Sequence, residues 1–214
     1  MKTSEDPNQT PGALATLGHE LKTPLAAIVG YADAMRSRAL GPLDGAYADA
    51  AESIHAAAGH MVLLIDRLIG LGVLEDGERR LTFERFDARD ALNGARRLFD
   101  NQAQTLGVEI AVAAPEGAMI VDADALAFKE ILINLIANAL TAGGRRVTAT
   151  LSREGADLIV TVADDGRGLH GAGEGLGLRL VRRLAAAHGG EFTLEGVAAG
   201  GAIARLRLPI AAAT

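Results

Sequence analysis

The stretch EILINLIANAL, residues 130–140, decides how the second half of this 214-residue chain folds. It is apolar except at Glu130, Asn134 and Asn138, which recur every four positions. A spacing of four keeps side chains on one helix face, so the pattern predicts a largely buried helix over Asp122–Leu140 with one polar edge. Buried amides are costly unless they are hydrogen-bonded. They either bond a neighbouring loop or, with Glu130, form an oxygen-bearing face suited to a hydrated Mg²⁺.

Strand-like and helical segments surround this helix in a mixed rather than strictly alternating order. Asp87 stands where it could cap a helix that begins at Ala88. Strands are predicted over 81–86, 108–113, 118–121, 146–151, 158–163, 191–195 and 202–208, and further helices over 88–106 and from the glycine-rich stretch 166–177 to about 188. This order predicts an α/β sandwich with helices on one face of a sheet.

Two long helices are predicted upstream, over 12–40 and 46–74, with the turn GPLDG at 41–45 between them. Each has an apolar stripe, formed by Leu14, Leu17, Leu21, Ile28 and Met35 in the first and by Ile54, Ala57, Met61, Leu64, Leu68 and Leu71 in the second. Because such a hairpin has little core of its own, two copies are expected to pair as a homodimeric four-helix bundle. The polar residues 1–11 are predicted to be a flexible tail.

Composition and charge exclude several classes of protein. The chain has no Cys, which excludes disulfide scaffolds, Cys-ligated metals and thiol catalysis. The net charge of -6 argues against a nucleic-acid binder. Charged residues interrupt every apolar run, and no signal-peptide pattern is present, so no membrane span is expected. A cytoplasmic location is predicted, and a membrane tether upstream of this segment is compatible with the sequence.

His19 lies two positions from both Leu17 and Leu21. Two helical steps place it about 200° from the apolar stripe, facing solvent. It is either an ordinary surface histidine or a nucleophile that accepts a phosphoryl group. In the second case Glu20 could take its proton, and Thr23 would lie on the same face one turn later.

Two glycine-rich motifs are candidate ligand sites. The first directly follows a predicted strand, and the second begins a predicted helix. Asp164 is followed by Gly166 and Gly168, and this segment is either a tight turn or a binding site for a planar ligand. In the second case the carboxylate of Asp164 could accept a hydrogen bond from an amine such as that of adenine. GEGLGL, residues 173–178, is either a flexible loop or a phosphate site at a helix N-terminus.

In this order, the motifs HELKTPL (19–25), NLIANA (134–139), DDGRGL (164–169) and GEGLGL (173–178) resemble the catalytic core of two-component sensor histidine kinases. The resemblance covers residues 12–209. It implies an α+β chain in which a helical hairpin dimerises into a four-helix bundle and precedes a Bergerat-type ATP-binding sandwich.

The resemblance also implies a division of the chain and a role for each motif. Residues 1–11 would be the tail, 12–76 the dimerisation and phosphotransfer domain, and 77–214 the ATP-binding domain. His19 would attack the γ-phosphorus of ATP with Glu20 as general base, and would pass the phosphoryl group to an Asp of a response-regulator receiver domain. In this family a Thr at the position of Thr23 is associated with dephosphorylation of that partner.

For the nucleotide, the resemblance assigns the remaining motif residues. Asn134 and Asn138 would hold Mg²⁺ and the phosphates, Asn138 as the metal ligand, with Glu130 as an outer contributor. Asp164 would recognise adenine. The glycines would shape the approach to adenine and the phosphate end of the site: Gly166 and Gly168 for the former, Gly173, Gly175 and Gly177 for the latter.

Three departures from the family pattern leave other functions open. Only four residues separate Gly168 from Gly173, where the family has a longer lid over ATP. Thr141 and Ala142 replace a basic and an aromatic residue, and near the end of the chain a Thr and a Phe appear as alanines. The alternatives are a histidine phosphotransferase or pseudokinase relay with a non-functional ATP domain, and a gyrase- or Hsp90-like ATPase. The ATPase alternative leaves the HELKTP helix unexplained.

Overall fold

A computed structural model describes residues 13–39, 41–75, 80–169 and 175–210, so the predicted tail over 1–11 lies outside the described residues. The chain divides into two compact units, and the second begins at Arg80. None of the helices in the described stretches is long and apolar enough to span a membrane.

The first unit is a hairpin of two helices, α1 (Ala13–Arg36) and α2 (Gly45–Glu75). The first helix ends earlier than predicted because its last turn closes in a Schellman motif, which satisfies terminal carbonyls. The amide of Ala39 donates to Ala34 O at 3.0 Å, and Arg38 N donates to Met35 O at 3.0 Å. Arg38 takes the left-handed position of this motif, with φ 56°.

The residues buried in this hairpin are not the predicted stripes. Among the described side chains, the buried apolar ones are Leu25, Ala32, Ala51 and Ala58, each at most 4% exposed. Predicted stripe residues remain 38–49% exposed, namely Leu17, Leu21, Ile28, Met35, Ile54 and Met61. In the described part of the hairpin, mostly small residues therefore form the buried core, and the larger apolar side chains of the stripes stay on its surface.

The second unit combines a five-stranded sheet, a two-stranded sheet and four helices among its described residues. In chain order these are β1 (Glu84–Asp87), α3 (Ala88–Arg97), α4 (Asp100–Leu106), β2 (Glu109–Ala113), β3 (Ile120–Ala123), α5 (Ala125–Thr141), β4 (Arg146–Glu154), β5 (Asp157–Asp164), α6 (Leu176–Ala187), β6 (Glu191–Gly196) and β7 (Ala202–Pro209). The larger sheet has the order β2-β4-β5-β7-β6, and all its pairs are antiparallel except β2–β4; β1 pairs with β3 antiparallel.

Helix α5 is the centre of this unit, and most of its length is buried. It begins at Ala125, three residues later than predicted, because Asp124 caps it: Asp124 Oδ1 accepts from Ala127 N at 2.8 Å. Asp87 caps α3 as predicted, accepting from Arg89 N at 2.9 Å. Leucine and isoleucine side chains of α5 and α6 pack with the inward-facing residues of the sheet, which confirms the predicted α/β sandwich.

The helix predicted over 88–106 is in fact the two helices α3 and α4. The chain tightens after α3, where Leu98 N donates to Ala95 O and Phe99 N donates to Arg96 O. Phe99 then leaves the helical region, with φ -106° and ψ 2°. The 3.6-residue periodicity continues across this break, so the sequence pattern does not reveal it.

Candidate functional site

The second unit contains a cavity of about 190 Å³. Its walls come from the C-terminal half of α5, the ends of β5 and β7, the first turn of α6 and a residue of β6. The lining is mainly apolar, including Leu135, Val162, Leu178 and Leu194, and its polar members are Asn138, Thr141 and Asp164. A largely apolar cleft with a few placed polar groups is the usual form of a small-molecule site.

Asp164 is the last residue of β5 and provides the charge in this cavity. Its Oδ1 accepts from Gly166 N at 2.9 Å, and its carboxylate also accepts from the amide of Ala202 on the neighbouring strand. Burial raises the pKa of Asp164 above its ordinary value, against the opposing effect of these two amides. A carboxylate removed from water in this way is a strong acceptor for an N–H donor of a ligand.

Two amides on α5 have buried atoms without a hydrogen-bond partner among the described residues: Oδ1 of Asn134 and Nδ2 of Asn138. The Nδ2 of Asn134 donates within the helix to Glu130 O at 2.8 Å. In the described part of the chain, neither Asn134 Oδ1 nor Asn138 Nδ2 is bonded to a neighbouring loop. Since a buried unpaired polar atom costs about 1–3 kcal/mol, the pair points to a ligand that completes them.

The unpaired Nδ2 of Asn138 is an N–H donor that suits a phosphate oxygen, and the Oδ1 of the same side chain is an oxygen donor that suits a metal bound mainly by phosphates and water. Mg²⁺ binds oxygen donors and in nucleotide sites uses only one or two protein side chains. The described residues contain no cluster of three His, Cys, Asp or Glu side chains that could hold a metal alone. Asn138 lines the cavity, whereas Asn134 and Glu130 lie further back along α5 and do not line it.

Glycines allow the loop after β5 to lie against its neighbours. A Cβ on Gly166 would be 2.5 Å from Ala142 O, and one on Gly168, where φ is 70°, would be 3.0 Å from Gly201 O. Gly201 has φ 89° and lies so close to the carbonyl of Asp164 that a side chain there would overlap it. Gly201 was not among the predicted site residues, because its constraint comes from a distant strand end.

The first turn of α6 is also beside the cavity, since Leu178 lines it. Gly175 precedes the helix without a side-chain cap, and its carbonyl accepts from Leu178 N and Arg179 N at 3.1 Å. Gly177 is buried within this turn. Gly173 lies outside the described residues.

The other predicted catalytic residues lie on α1 in the first unit. The backbone of His19 is helical, and its side chain is outside the described part of the chain. Glu20 and Thr23 are exposed. Pro24 lies inside α1 and does not end it.

Two family models match the chain. The His Kinase A (phospho-acceptor) domain matches residues 12–77, and the histidine kinase-, DNA gyrase B- and HSP90-like ATPase matches residues 123–212.

Curated relatives are similar over most of the chain. The histidine protein kinase DivJ of Caulobacter vibrioides is 39% identical over 92% of the chain, which spans 37% of that protein. The cell-division control histidine kinase PdhS of Brucella ovis is 31% identical over 76% of the chain and 16% of that protein. The chain therefore spans well under half the length of these relatives.

Among solved structures, full-length ShkA in complex with AMPPNP is similar over 96% of this chain and 47% of that one. The TM-score is 0.74 and the sequence identity 28%.

Proposed function

Because the chain belongs to the sensor histidine kinase family and carries its catalytic core, we propose that it autophosphorylates His19 from ATP and passes the phosphoryl group to an Asp on a response-regulator receiver domain. The observation that carries the proposal is the cavity that Asp164 and Asn138 both line. Residues 12–76 would dimerise and present His19, and residues 77–214 would bind the nucleotide.

Asp164, which is half-buried in the cavity wall, would hold the adenine by accepting from its exocyclic amine. Gly166 donates its N–H to Asp164 Oδ1 and would keep this carboxylate in place, and Gly168 lines the cavity and would permit the approach of the base. Leu135 and Val162 offer apolar surface for the base.

At the phosphate end, Asn138 would bind Mg²⁺ through its Oδ1 and donate from its unpaired Nδ2 to a phosphate oxygen, and Asn134 with Glu130 would support it from further back on α5. Bound Mg²⁺ would neutralise charge on the phosphates during transfer. The backbone amides at the start of α6, with Gly173, Gly175 and Gly177, would contact the phosphates, since the N-terminus of a helix attracts anions.

His19 would act as the nucleophile. One imidazole nitrogen forms a bond to the γ-phosphorus as the bond from that phosphorus to the β,γ-bridging oxygen breaks, and ADP leaves. The proton on the opposite ring nitrogen passes to Glu20, the next residue along α1. A receiver Asp would then take the phosphoryl group, and Thr23 would orient a water for the reverse, dephosphorylating activity.

The first unit would form a homodimer. Six of its predicted stripe residues with described side chains are large, apolar and 38–49% exposed on a single hairpin. Pairing two hairpins into a four-helix bundle would bury them. Such a dimer would account for the exposed apolar surface of the single hairpin.

The proposal is tested by incubating the chain with γ-labelled Mg-ATP beside a His19→Gln variant. We expect label on the wild-type chain that is labile in acid and stable in alkali, as for a phosphoramidate, and none on the variant. A receiver domain added afterwards should remove the label from the chain. Both proteins must bind ADP equally, which shows that the variant is folded.

Two results would contradict the proposal. Label that persists in His19→Gln would place the phosphoryl group elsewhere. If the wild-type chain takes label only from a phosphorylated receiver and never from ATP, the chain is a relay module.

A further inference from the structure

We propose that Asp165 and Arg167 are positioning residues that set the affinity for the nucleotide, although neither lines the cavity. They would do so by fixing the loop that carries Asp164 against the end of the helix that carries Asn138. We call the contact between residues 141–146 and residues 165–167 the loop clasp. The inference rests on the proposed binding of ATP in this cavity.

Asp165 joins the two loops through backbone amides. Its Oδ1 accepts from Arg145 N at 2.7 Å and from Arg146 N at 2.8 Å, and its own amide donates to Arg146 O at 3.3 Å. These two donors, Arg146 foremost, hold the pKa of Asp165 below its usual value. The side chain is exposed and does not line the cavity, so it would support the site from outside and not contact a ligand bound there.

Arg167 joins the same loops at the C-terminus of α5. Its amide donates to Ala142 O at 3.0 Å, its Nε to the same oxygen at 3.3 Å, and its Nη2 to Thr141 O at 3.5 Å. The last carbonyls of a helix lack partners within the helix and carry its negative dipole end, which a guanidinium complements. Thr141 and Ala142 both line the cavity, so Arg167 holds part of its wall from outside.

The clasp leaves no free space between the loops. A Cβ on Gly144 would overlap Asp165 Oδ1, and a Cβ on Gly166 would be 2.5 Å from Ala142 O. Backbone in direct contact cannot move closer, and the hydrogen bonds of Asp165 and Arg167 prevent it from moving apart. The separation of Asp164 from Asn138 is therefore set by the clasp.

This matters because the two sides of the site recognise different parts of one ligand. Asp164 would hold the base and Asn138 the phosphate end, so a nucleotide is bound well only when both are correctly spaced. A site that is loose by about 1 Å loses much of its affinity even when every contacting residue is present.

The test compares Asp165→Ala, Asp165→Asn and Arg167→Ala with the wild-type chain in titrations with ADP and AMPPNP. Losing both side-chain hydrogen bonds of Asp165 should weaken Kd about five- to tenfold. Asp165→Asn should bind within about twofold of wild type, because its amide oxygen can accept the same two N–H groups. Arg167→Ala should weaken Kd to a similar degree as Asp165→Ala.

Glu154→Ala is the matched control. Glu154 is also an exposed carboxylate of the second unit, paired with Arg205 at 2.7 Å, but it lies at the opposite end of the β4–β5 pair from Asp164. Its loss should leave Kd unchanged. Binding stoichiometry, together with the thermal midpoint without nucleotide, separates a misfolded variant from a folded one in which Asp164 and Asn138 are wrongly spaced. Wrong spacing raises Kd at a stoichiometry near one, whereas misfolding lowers the stoichiometry.

Each outcome decides the inference. A Kd for Asp165→Ala equal to that of wild type overturns it, as does a loss confined to stoichiometry. Rescue by Asp165→Asn supports it, and failure of that rescue with a folded protein overturns the backbone-acceptor role. If the wild-type chain binds neither nucleotide, the proposed function fails instead, which is a separate result.

Discussion

Replacing Asp164 by Asn should weaken nucleotide binding and, at neutral pH, raise the stability of the second unit. The carboxylate accepts from Gly166 N at 2.9 Å and from the amide of Ala202. An Asn at this position can keep one oxygen on those amides, but its NH₂ group then faces the ligand. The exocyclic amine of adenine would meet a donor instead of a charged acceptor.

The magnitude follows from the loss of a hydrogen bond to a charged group. Such bonds contribute about 1.5–3 kcal/mol, which corresponds to a Kd weakened roughly 10- to 150-fold. Stability should change in the opposite direction. Burial raises the pKa of Asp164 above its ordinary 3.8, so the ionised side chain opposes folding at neutral pH, and the variant removes that cost.

The pH dependence has a definite sign. Well below pH 3.8 the carboxyl is protonated in both the unfolded and the folded state, so the difference in stability between variant and wild type should not depend on pH there. As pH rises from there to the pKa of the folded state, wild type loses stability relative to the variant, and the difference is constant above that pKa. Thermal unfolding across this range measures it.

Calorimetric titration with ADP measures the binding, with Glu154→Gln as the control that removes the same charge at the far end of the β4–β5 pair. Asp164→Asn should bind at least tenfold more weakly than wild type, and Glu154→Gln should not. The reasoning is refuted if Asp164→Asn binds ADP within threefold of wild type, or if both variants lose affinity alike.

Three further substitutions test the N-terminal cap of α5, the end of α1 and the proposed dimer interface. Asp124→Ala should destabilise the second unit by about 2 kcal/mol in chemical unfolding, since its carboxylate accepts from Ala127 N at 2.8 Å and Thr82 N at 2.9 Å; no change would refute the capping role. Arg38→Gly should stabilise the hairpin by about 1 kcal/mol, because φ is 56° there, and a lower thermal midpoint would contradict this. Ile28→Asp should convert the dimer to monomer in sedimentation velocity, and an unchanged dimer would exclude this face from the interface.

Local patterns were sufficient for most of the fold. The apolar run around Asn134 and Asn138 predicted a buried helix, and alternating residues predicted the strands of the larger sheet to within a few residues. Asp87 was identified as a cap because capping depends on residues two or three positions away. Such features depend on neighbouring residues, so the sequence contains what is needed to predict them.

Features set by distant contacts were missed. Asp165 and Arg145 are 20 positions apart, and nothing in either motif indicates that they bond. Gly201 needs its φ of 89° because the carbonyl of Asp164 lies against it. The end of α1 was misplaced because Arg38, rather than a glycine, takes the left-handed position, and side-chain type gives no signal for that.

The core of a single hairpin was not predicted, for a different reason. Periodicity identifies apolar faces but does not say which face packs within the chain. Leu25, Ala32, Ala51 and Ala58 form the core of one hairpin, and the larger stripe side chains remain exposed. Their exposure is what the proposed dimer explains.

The central claim is that nucleotide bound in the cavity phosphorylates His19. Intact-mass measurement at neutral pH after a single turnover with Mg-ATP, followed by fragmentation to locate the group, tests it most directly. The account predicts one added phosphoryl group per chain, on His19, and none in Asp164→Asn at a nucleotide concentration that only wild type binds. A chain that binds ATP yet gains no phosphoryl group, or gains it on another residue, would contradict the account.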